Sequence, residues 1–370
     1  MSGVMKTFIV YYKLRRAISC YLYLQKRTQI DAQQSIKISV VIPTCNRRER
    51  LLSLLRNLNC LSRIPEEIIV VDSGEQRLSP EQLQSFTNLS IHYLRSEKSV
   101  CIQRNAGIKK AMNSWIFLCD DDIEMPKNYL DVLTGYIIRY PETGAVSGVW
   151  LQKENNEWQA SYPVTSARML LWKYIFRLGI WGEIKCNSNN FFIKKITQHY
   201  KRKGNHISKA GWPVNTDFNS DVMLCAVYSL GASLVKKEWL LKSPYDEVLD
   251  RHGIGDNYGV IAGFPQPLVH VTNKTFIHHH REPTNRLQSS LQYYRRVLAL
   301  NYFINTQPSL NHIKRYNLVW SLIGNLCAFL YAPDKAMIKA GLKSIITIVF
   351  NRNPYIIAAK ENKKVIEPVP

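Results

Sequence analysis

The sequence has few acidic residues and no closely paired cysteines. Both features limit the classes of function that it can have. It holds 28 Asp and Glu against 49 Lys and Arg, which gives a formal net charge of +21. Such a charge favours anionic partners, such as nucleic acid, acidic lipid or phosphorylated substrates. The 8 cysteines form no CxxC pair, which argues against a zinc framework or a disulfide scaffold and fits a reducing compartment.

Two common phosphate-binding motifs and a long apolar run are also missing. No GxxxxGK[ST] occurs, so the sequence does not predict a P-loop. No GxGxxG follows the first predicted strand, which argues against a dinucleotide-dependent oxidoreductase. The uncharged stretch 317–333 is shorter than the roughly 20 residues that a spanning helix needs. We expect a buried or membrane-surface helix there.

Apolar strand patterns alternate with helical patterns in the first half of the chain. A buried strand is predicted at 36–43 and further strands at 67–72, 90–94, 115–119 and 145–150, and helices of about a dozen residues lie between most of them. Such a βαβ order predicts an α/β fold with a mostly parallel central sheet flanked by helices. The pattern loosens after residue 150 and becomes helical again from residue 288.

Polar residues follow three of these predicted strands. They are the run 43–46, the pair 72–73 and the triple aspartate 120–122. Because ligands of parallel sheets bind beyond the carboxyl ends of the strands, these three ends predict one shared site. Clustered carboxylates repel one another unless a cation offsets them, and they suit Mg²⁺ or Mn²⁺ with substrate phosphates as further ligands. The alternative is an acidic start to the helix at Pro126.

Three segments within residues 38–126 carry a resemblance to a known family. They are SVVIPTCNRRERLLSLLRNL, EEIIVVDSG and SVCIQRNAGIKKAMNSWIFLCDDDIEMP. In this order and spacing they resemble the nucleotide-binding half of the family 2 glycosyltransferases. The triple aspartate of this sequence would correspond to the DxD motif of that family. The resemblance implies the GT-A fold, a Rossmann-like, mostly parallel sheet flanked by helices.

The resemblance also implies roles for individual residues. It implies nucleotide-sugar binding by residues at the strand ends and in the QRNAG segment, namely Pro43, Thr44, Asn46, Asp72, Arg104, Asn105, Asp120 and Asp121. Asp72 would reach the base, which in this family is typically uracil. It implies that Asp122, Asp120 and His280 hold Mg²⁺ or Mn²⁺, although which aspartate touches the metal, and which of His278 to His280 lies at the site, stays open.

The segment 231–257 resembles the acceptor side of the family. Inverting transferases need a carboxylate base for the acceptor hydroxyl, and in the family that base is the aspartate of a Glu-Asp pair. Here the matching pair is Asp256-Asn257, so we predict Asp256 as the base and keep Asp250 and Asp246 as alternatives. Farther along, Arg281 and Arg286 are candidate phosphate ligands.

Together these observations predict four segments. They are a basic amphipathic segment at 1–35, a nucleotide-sugar-binding half at 36–150, an acceptor-binding half at 151–287, and a helical extension at 288–370 that is a candidate for membrane association. The charge at both ends predicts peripheral contact with an anionic membrane, hence a cytoplasmic enzyme on the inner face of a bacterial plasma membrane.

The predicted function is metal-dependent, inverting transfer of a sugar from a nucleotide diphospho-sugar, with UDP favoured, to a glycan or lipid-linked acceptor. By resemblance it suits a capsule, O-antigen or lipopolysaccharide pathway, and nucleic acid is not an expected partner. One alternative is a sugar-1-phosphate nucleotidyltransferase, although PTCNRRE differs from the glycine-rich first loop of those enzymes. The other is a nonenzymatic basic protein that binds nucleic acid or membrane, against which the acidic cluster argues.

Overall fold

A computed structural model describes residues 36–281 and 287–364. The basic amphipathic segment predicted at 1–35 and the candidate phosphate ligand Arg286 lie outside these described residues.

The strands of the described chain belong to one large sheet and one small sheet. In chain order they are β1 Ile38–Thr44, β2 Glu67–Asp72, β3 Ile91–Arg95, β4 Trp115–Cys119, β5 Ile123–Glu124, β6 Ala145–Glu154, β7 Glu157–Gln159, β8 Ile180–Trp181, β9 His206–Ile207, β10 Pro213–Asn215, β11 Val222–Cys225, β12 Ala232–Lys236 and β13 Val269–His279.

The helices cover the large sheet and form the C-terminal part of the chain. They are α1 Arg48–Asn59, α2 Pro80–Gln84, α3 Val100–Lys110, α4 Tyr129–Arg139, α5 Ala167–Ile175, α6 Phe191–Lys203, α7 Lys237–Lys242, α8 Asp256–Ala262, α9 Ser289–Thr306, α10 Arg315–Tyr331, α11 Lys335–Val349 and α12 Pro354–Lys360, with a 3₁₀ turn at Pro308–Leu310.

The large sheet has the spatial order β11-β13-β6-β12-β4-β1-β2-β3. Strands β3, β2, β1 and β4 are parallel neighbours, and β13 is parallel to β6. Strand β12 lies antiparallel between β4 and β6, so the sheet is mixed rather than wholly parallel. The register pairs Thr44 with Asp72, which brings the carboxyl ends of β1 and β2 to the same edge.

The core explains why these segments form these elements. Strands β1, β2 and β4 are buried along their whole length, as expected of central strands covered on both faces. Helix α1 buries five leucines at helical spacing, namely Leu51, Leu52, Leu54, Leu55 and Leu58. Helix α3 lies so close to β1 that a Cβ at Gly107 would lie 2.4 Å from Val41.

The α/β architecture with its C-terminal helical extension is therefore confirmed, and the five strands predicted in the first half all form. Strand β6 runs farther than predicted, to Glu154. The uncharged stretch at 317–333 forms most of α10, which packs one face and exposes another. Among the described helices, none combines the length and the apolar character that a membrane crossing requires.

Candidate active site

A cavity of about 320 Å³ opens at the carboxyl ends of β1 and β4, and we call it the first cavity. Its walls include Pro43 and Thr44 from the end of β1 and the triple aspartate 120–122 that follows β4. Four cationic side chains also line it, namely Arg47, Lys98, Arg104 and Arg251. The predicted meeting of strand ends at one site is thus observed for β1 and β4, and Ser73 brings the end of β2 to the same wall.

Asp121 is the buried centre of this acidic cluster. Its carboxylate accepts a hydrogen bond from Thr44 Oγ1 at 2.7 Å and pairs with Arg47 Nη1 at 2.8 Å. Burial raises the pKa of Asp121 to about 6, although the charge of Arg47 acts in the opposite direction. Asp121 therefore ties the end of β1 to the end of β4 and holds Arg47 over the first cavity.

Asp122 lies between a cation and a histidine. Its Oδ2 is 3.3 Å from Arg47 Nη1, and its Oδ1 is 3.3 Å from His279 Nε2. The neighbouring His280, which the sequence analysis favoured as a metal ligand, instead contacts the exposed Glu124 at 3.1 Å. The structure thus brings His279, and not His280, to the acidic cluster.

Arg104 joins two carboxylates that are far apart in the sequence. Its Nη2 donates to Asp120 Oδ1 at 2.7 Å, and its Nη1 donates to Asp256. The guanidinium also lies over the ring of Tyr245, 4.9 Å from the centroid. Asp120 has room for this contact because Gly231 has no side chain, and a Cβ there would lie 2.1 Å from Asp120 Oδ2. Because Arg104 contacts both carboxylates, the predicted base Asp256 lies next to the acidic cluster.

Asp256 is the first residue of α8. Gly255 before it has a φ of +94°, which glycine adopts without strain, and this turn directs the chain into the helix. The Asp256 carboxylate accepts the backbone N–H of Asn257 at 2.6 Å. Burial raises the pKa of Asp256 to about 6, while the charge of Arg104 opposes that rise. A buried carboxylate of this kind accepts a proton at near-neutral pH.

The two alternative bases have structural partners instead. Asp250 is fully buried, and it accepts hydrogen bonds from Arg295 at 2.9 Å and from the Tyr355 hydroxyl at 2.6 Å. Asp246 accepts the Tyr302 hydroxyl at 2.7 Å. Both therefore attach the α7–α8 connection to the C-terminal helices.

Three other predicted site residues do not line the first cavity. Asp72 accepts the Gly74 N–H at 2.7 Å and the Tyr93 hydroxyl, and Asn46 Oδ1 accepts the Glu75 N–H at 2.6 Å. These two side chains shape the loop after β2, which borders the cavity through Ser73. Asn105 is buried and bonds both the N–H and the carbonyl of Tyr245, so it fixes the 245 segment against α3.

A second cavity adjoins the first and has two lobes of about 880 and 330 Å³. Asp120 and His279 line both the first cavity and the larger lobe, so they stand at the junction. Asp256 lines the smaller lobe. The two lobes share walls formed by Trp181, Trp212, Pro213, Tyr228, Ser229 and Arg296.

The acidic cluster has the chemistry of a divalent metal site. Asp120 and Asp122 supply hard oxygen donors, and His279 supplies an imidazole whose Nδ1 is buried without a hydrogen-bond partner among the described residues. Within residues 36–281 and 287–364, no three such ligands are gathered into a preformed site.

Sequence reasoning missed two residues that organise this site. Arg47 pairs with Asp121 and Asp122, and it belongs to the quoted PTCNRRE segment, so its position in that motif was the available signal. Gln103 Nε2 donates to the carbonyl oxygens of Thr44 and Val71, each at 2.7 Å, and so links the ends of β1 and β2. Gln103 could have been found from the sequence because it directly precedes Arg104 in the QRNAG segment.

Part of the chain matches a known protein family and a curated relative. Residues 39–201 match the family model described as glycosyl transferase family 2. An uncharacterized glycosyltransferase of Bacillus subtilis, YwdF, is 38% identical over 88 residues, which are 24% of this chain and 33% of that protein. The chain thus spans about a third of the length of this relative.

Two solved structures of low sequence identity are among those similar to this chain. TarS 1–349 of S. aureus has a TM-score of 0.48 at 15% identity, covering 86% of this chain and 82% of that one. The mannosyltransferase PcManGT from Pyrobaculum calidifontis, solved with GDP-Man and Mn²⁺, has a TM-score of 0.45 at 12% identity and covers 96% of both chains.

The α/β fold and the acidic cluster at the strand ends agree with what the sequence resemblance implies. Residues 39–201 are thus similar to glycosyltransferase family 2.

Proposed function

We propose that the chain transfers a sugar, with inversion, from a nucleotide diphospho-sugar to a hydroxyl group of a glycan or lipid-linked acceptor. A UDP-sugar is the favoured donor, and Mg²⁺ or Mn²⁺ is the favoured metal. The observation that carries the proposal is the bridge through Arg104, which joins Asp120 of the acidic cluster to Asp256. This bridge sets a candidate base beside a candidate diphosphate site, at the junction of two cavities.

The first cavity suits the nucleotide diphosphate. Arg47, Lys98 and Arg251 line it and offer cations to an anionic donor. Thr44 and the loop that Asp72 shapes form its wall on the side of β1 and β2. These features support donor binding at this cavity, with the nucleotide toward β1 and the transferred sugar toward Asp120.

Asp120, Asp122 and His279 are the residues that would hold a divalent cation. When bound, such a cation neutralises the charge of a departing nucleoside diphosphate, which then leaves without a proton. Arg47 is positioned by Asp121 and Asp122 to lie beside the same phosphates.

Asp256 is the proposed general base. It accepts the proton of the acceptor hydroxyl while that oxygen forms a bond to the anomeric carbon, and the bond from that carbon to the phosphate oxygen breaks. Arg104 positions the Asp256 carboxylate, and its charge stabilises the deprotonated form. The second cavity, which Asp256 lines through its smaller lobe, is the proposed acceptor cavity.

A thermal-shift panel of UDP-, GDP-, dTDP- and CMP-sugars, with and without Mn²⁺, tests the donor assignment. We expect one nucleotide class to raise the melting temperature, with a larger shift when Mn²⁺ is present, because ligands that bind only the folded state stabilise it. Stabilisation by none of the four classes would contradict the proposal, as would a metal-independent shift.

We also propose peripheral contact with an anionic membrane through α10 and α11. These helices and the residue after them expose large apolar side chains, among them Tyr316, Leu330, Tyr331, Ile346 and Phe350. Exposed cations accompany them at Lys314, Arg315, Lys335, Lys339 and Arg352, while Asp334 and Glu361 are the acidic residues of the stretch 287–364. Apolar and basic side chains together suit an interface with anionic headgroups.

Sedimentation with vesicles tests this contact. We expect vesicles that contain phosphatidylglycerol to bind the full chain more strongly than vesicles of phosphatidylcholine alone, and we expect added salt to reduce the difference. Equal binding to both vesicle types, or binding to neither, would contradict the membrane proposal. The donor panel is independent of this result, because it needs no membrane.

A further inference from the structure

The second cavity contains a cation that the proposed transfer mechanism does not use. Arg296 lies on α9 and lines both lobes of the cavity. Its neighbour Arg295 is buried and paired with Asp250 at 2.9 Å. Among the described residues, no carboxylate lies within ion-pair distance of Arg296 and no acceptor forms a hydrogen bond with it. Successive arginines of one helix thus differ, since one is satisfied inside the protein and the other faces the cavity.

The Arg296 side chain is exposed, so a ligand that enters the second cavity can reach it. Neighbouring side chains remove part of the hydration of this guanidinium and lower the pKa of Arg296, although the side chain remains exposed. A guanidinium without an acceptor in the protein can donate two parallel hydrogen bonds to an anionic ligand.

The other charges of the cavity do not supply that anion. Asp120 and Asp256 are the carboxylates that line it, and both are engaged by Arg104. Lys173 and Arg281 also line the larger lobe, and each is held by oxygen atoms of neighbouring residues. Both carboxylates that line the cavity are therefore paired with Arg104 and not with Arg296.

Rigid aromatic walls surround this charge. The rings of Trp181 and Tyr228 are stacked, with centroids 5.6 Å apart and planes inclined by 19°. Trp181 donates its indole N–H to the Ala160 carbonyl at 3.0 Å, and Trp212 donates its own to Ser321 Oγ at 2.8 Å. Fixed rings present flat apolar faces to the C–H groups of a sugar ring, while Arg296 offers its charge to a substituent of that ring.

We propose that Arg296 binds an anionic substituent of the acceptor saccharide, a carboxylate or a phosphate ester, and so determines which acceptors enter the second cavity. This inference rests on the proposed function, because it takes the second cavity as the acceptor cavity. Arg296 is a specificity residue here and takes no part in the proton transfer to Asp256.

Ligand-observed NMR titrations with three probes test this role. The probes are methyl β-glucuronide, glucose 6-phosphate and the neutral methyl β-glucoside, each added to protein saturated with UDP and Mn²⁺ so that the first cavity is filled. We expect the better of the two anionic probes to bind wild type at least about tenfold more tightly than the neutral probe, in line with a charge-assisted hydrogen bond. Which anionic probe binds better distinguishes a carboxylate from a phosphate ester.

The variant Arg296→Gln should remove this preference while it leaves the weak binding of the neutral probe unchanged. The matched control Arg202→Gln changes an exposed arginine of α6 that lines neither cavity, and it should behave as wild type. Arg296→Lys, which keeps the charge, should restore part of the preference. We expect the melting temperature of Arg296→Gln to stay close to that of wild type, because Arg296 is exposed and makes no ion pair or hydrogen bond among the described residues.

Equal binding of anionic and neutral probes by wild type would overturn the inference, and so would an unchanged preference in Arg296→Gln. The donor assignment is read separately from the shift caused by UDP and Mn²⁺. If UDP and Mn²⁺ bind but the anionic probes show no dependence on Arg296, the acceptor inference fails alone. If no nucleotide binds, the same probes are titrated without UDP; a preference that then depends on Arg296 supports the anion site while the donor assignment fails.

Discussion

Replacing Asp256 with asparagine should abolish sugar transfer while the affinity for the donor stays close to that of wild type. Asparagine keeps the size of the side chain and can still accept hydrogen bonds from Arg104 and the Asn257 N–H, but it cannot take the acceptor proton. Loss of a general base typically lowers a rate by about 10²–10⁴-fold. The measurement is kcat with a saturating donor, together with calorimetric titration of the nucleoside diphosphate.

The alternative base Asp246 provides the control. Asp246→Asn changes a carboxylate that accepts the Tyr302 hydroxyl and lines neither cavity, so it should retain kcat within a few-fold. Undiminished turnover in Asp256→Asn would move the base elsewhere. A loss of donor affinity equal to the loss of rate would instead show that the variant disturbed Arg104 and Asp120.

The pH dependence of kcat is a second test of Asp256 as the general base. Burial raises the pKa of Asp256 to about 6, and the base must be deprotonated to act. The rate should therefore rise as the pH increases through about 6, whereas an unperturbed aspartate would titrate near about 4. Asp121, whose pKa burial also raises to about 6, pairs with Arg47 in the first cavity and should affect KM for the donor. A kcat that is flat between pH 5 and 8 would contradict the role of Asp256.

The second large effect is expected from Asp122→Ala, which should remove the dependence of donor binding on Mn²⁺. Asp122 contacts Arg47 and His279 in the first cavity and is the leading candidate for a direct metal ligand. Donor affinity in the presence of Mn²⁺ should fall by about 100-fold or more, because loss of even an outer-shell partner of a metal typically costs about 10–100-fold. Donor affinity measured in EDTA should change little.

Asp221→Ala is the matched control for this change. Asp221 is an exposed carboxylate paired with Lys274, and it lines neither cavity, so its removal should leave the Mn²⁺ effect intact. If Asp122→Ala kept the full Mn²⁺ effect, the metal assignment at this residue would be wrong. If both variants lost it, the effect would reflect overall charge and not a specific site.

Local patterns in the sequence predicted the half of the fold that carries the acidic cluster. Apolar runs for β1, β2 and β4 and the leucine spacing of α1 indicate buried strands and an amphipathic helix without any tertiary information. The triple aspartate follows β4 directly, so its place at the rim follows from the parallel order of the strands. The antiparallel insertion of β12 was not predicted from pattern alone, because it depends on a long-range pairing.

The partners within the site were harder to predict, because they depend on contacts between distant segments. Arg104 and Asp256 are 152 residues apart, and no local pattern relates them. The choice between His279 and His280 depends on which of the two side chains faces the acidic cluster, and β13 has a register shift between Thr272 and Phe276 in its pairing with β6. Alternation along a strand separates the two histidines but does not say which one points inward.

The most direct test of the central claim is an anomalous-scattering map from crystals grown with Mn²⁺ and a UDP-sugar. The account predicts a manganese peak bound to the Asp122 carboxylate and to the diphosphate, in the cavity that Thr44, Arg47 and Asp120 line. A diphosphate bound elsewhere, or a manganese ion distant from all three aspartates, would contradict it.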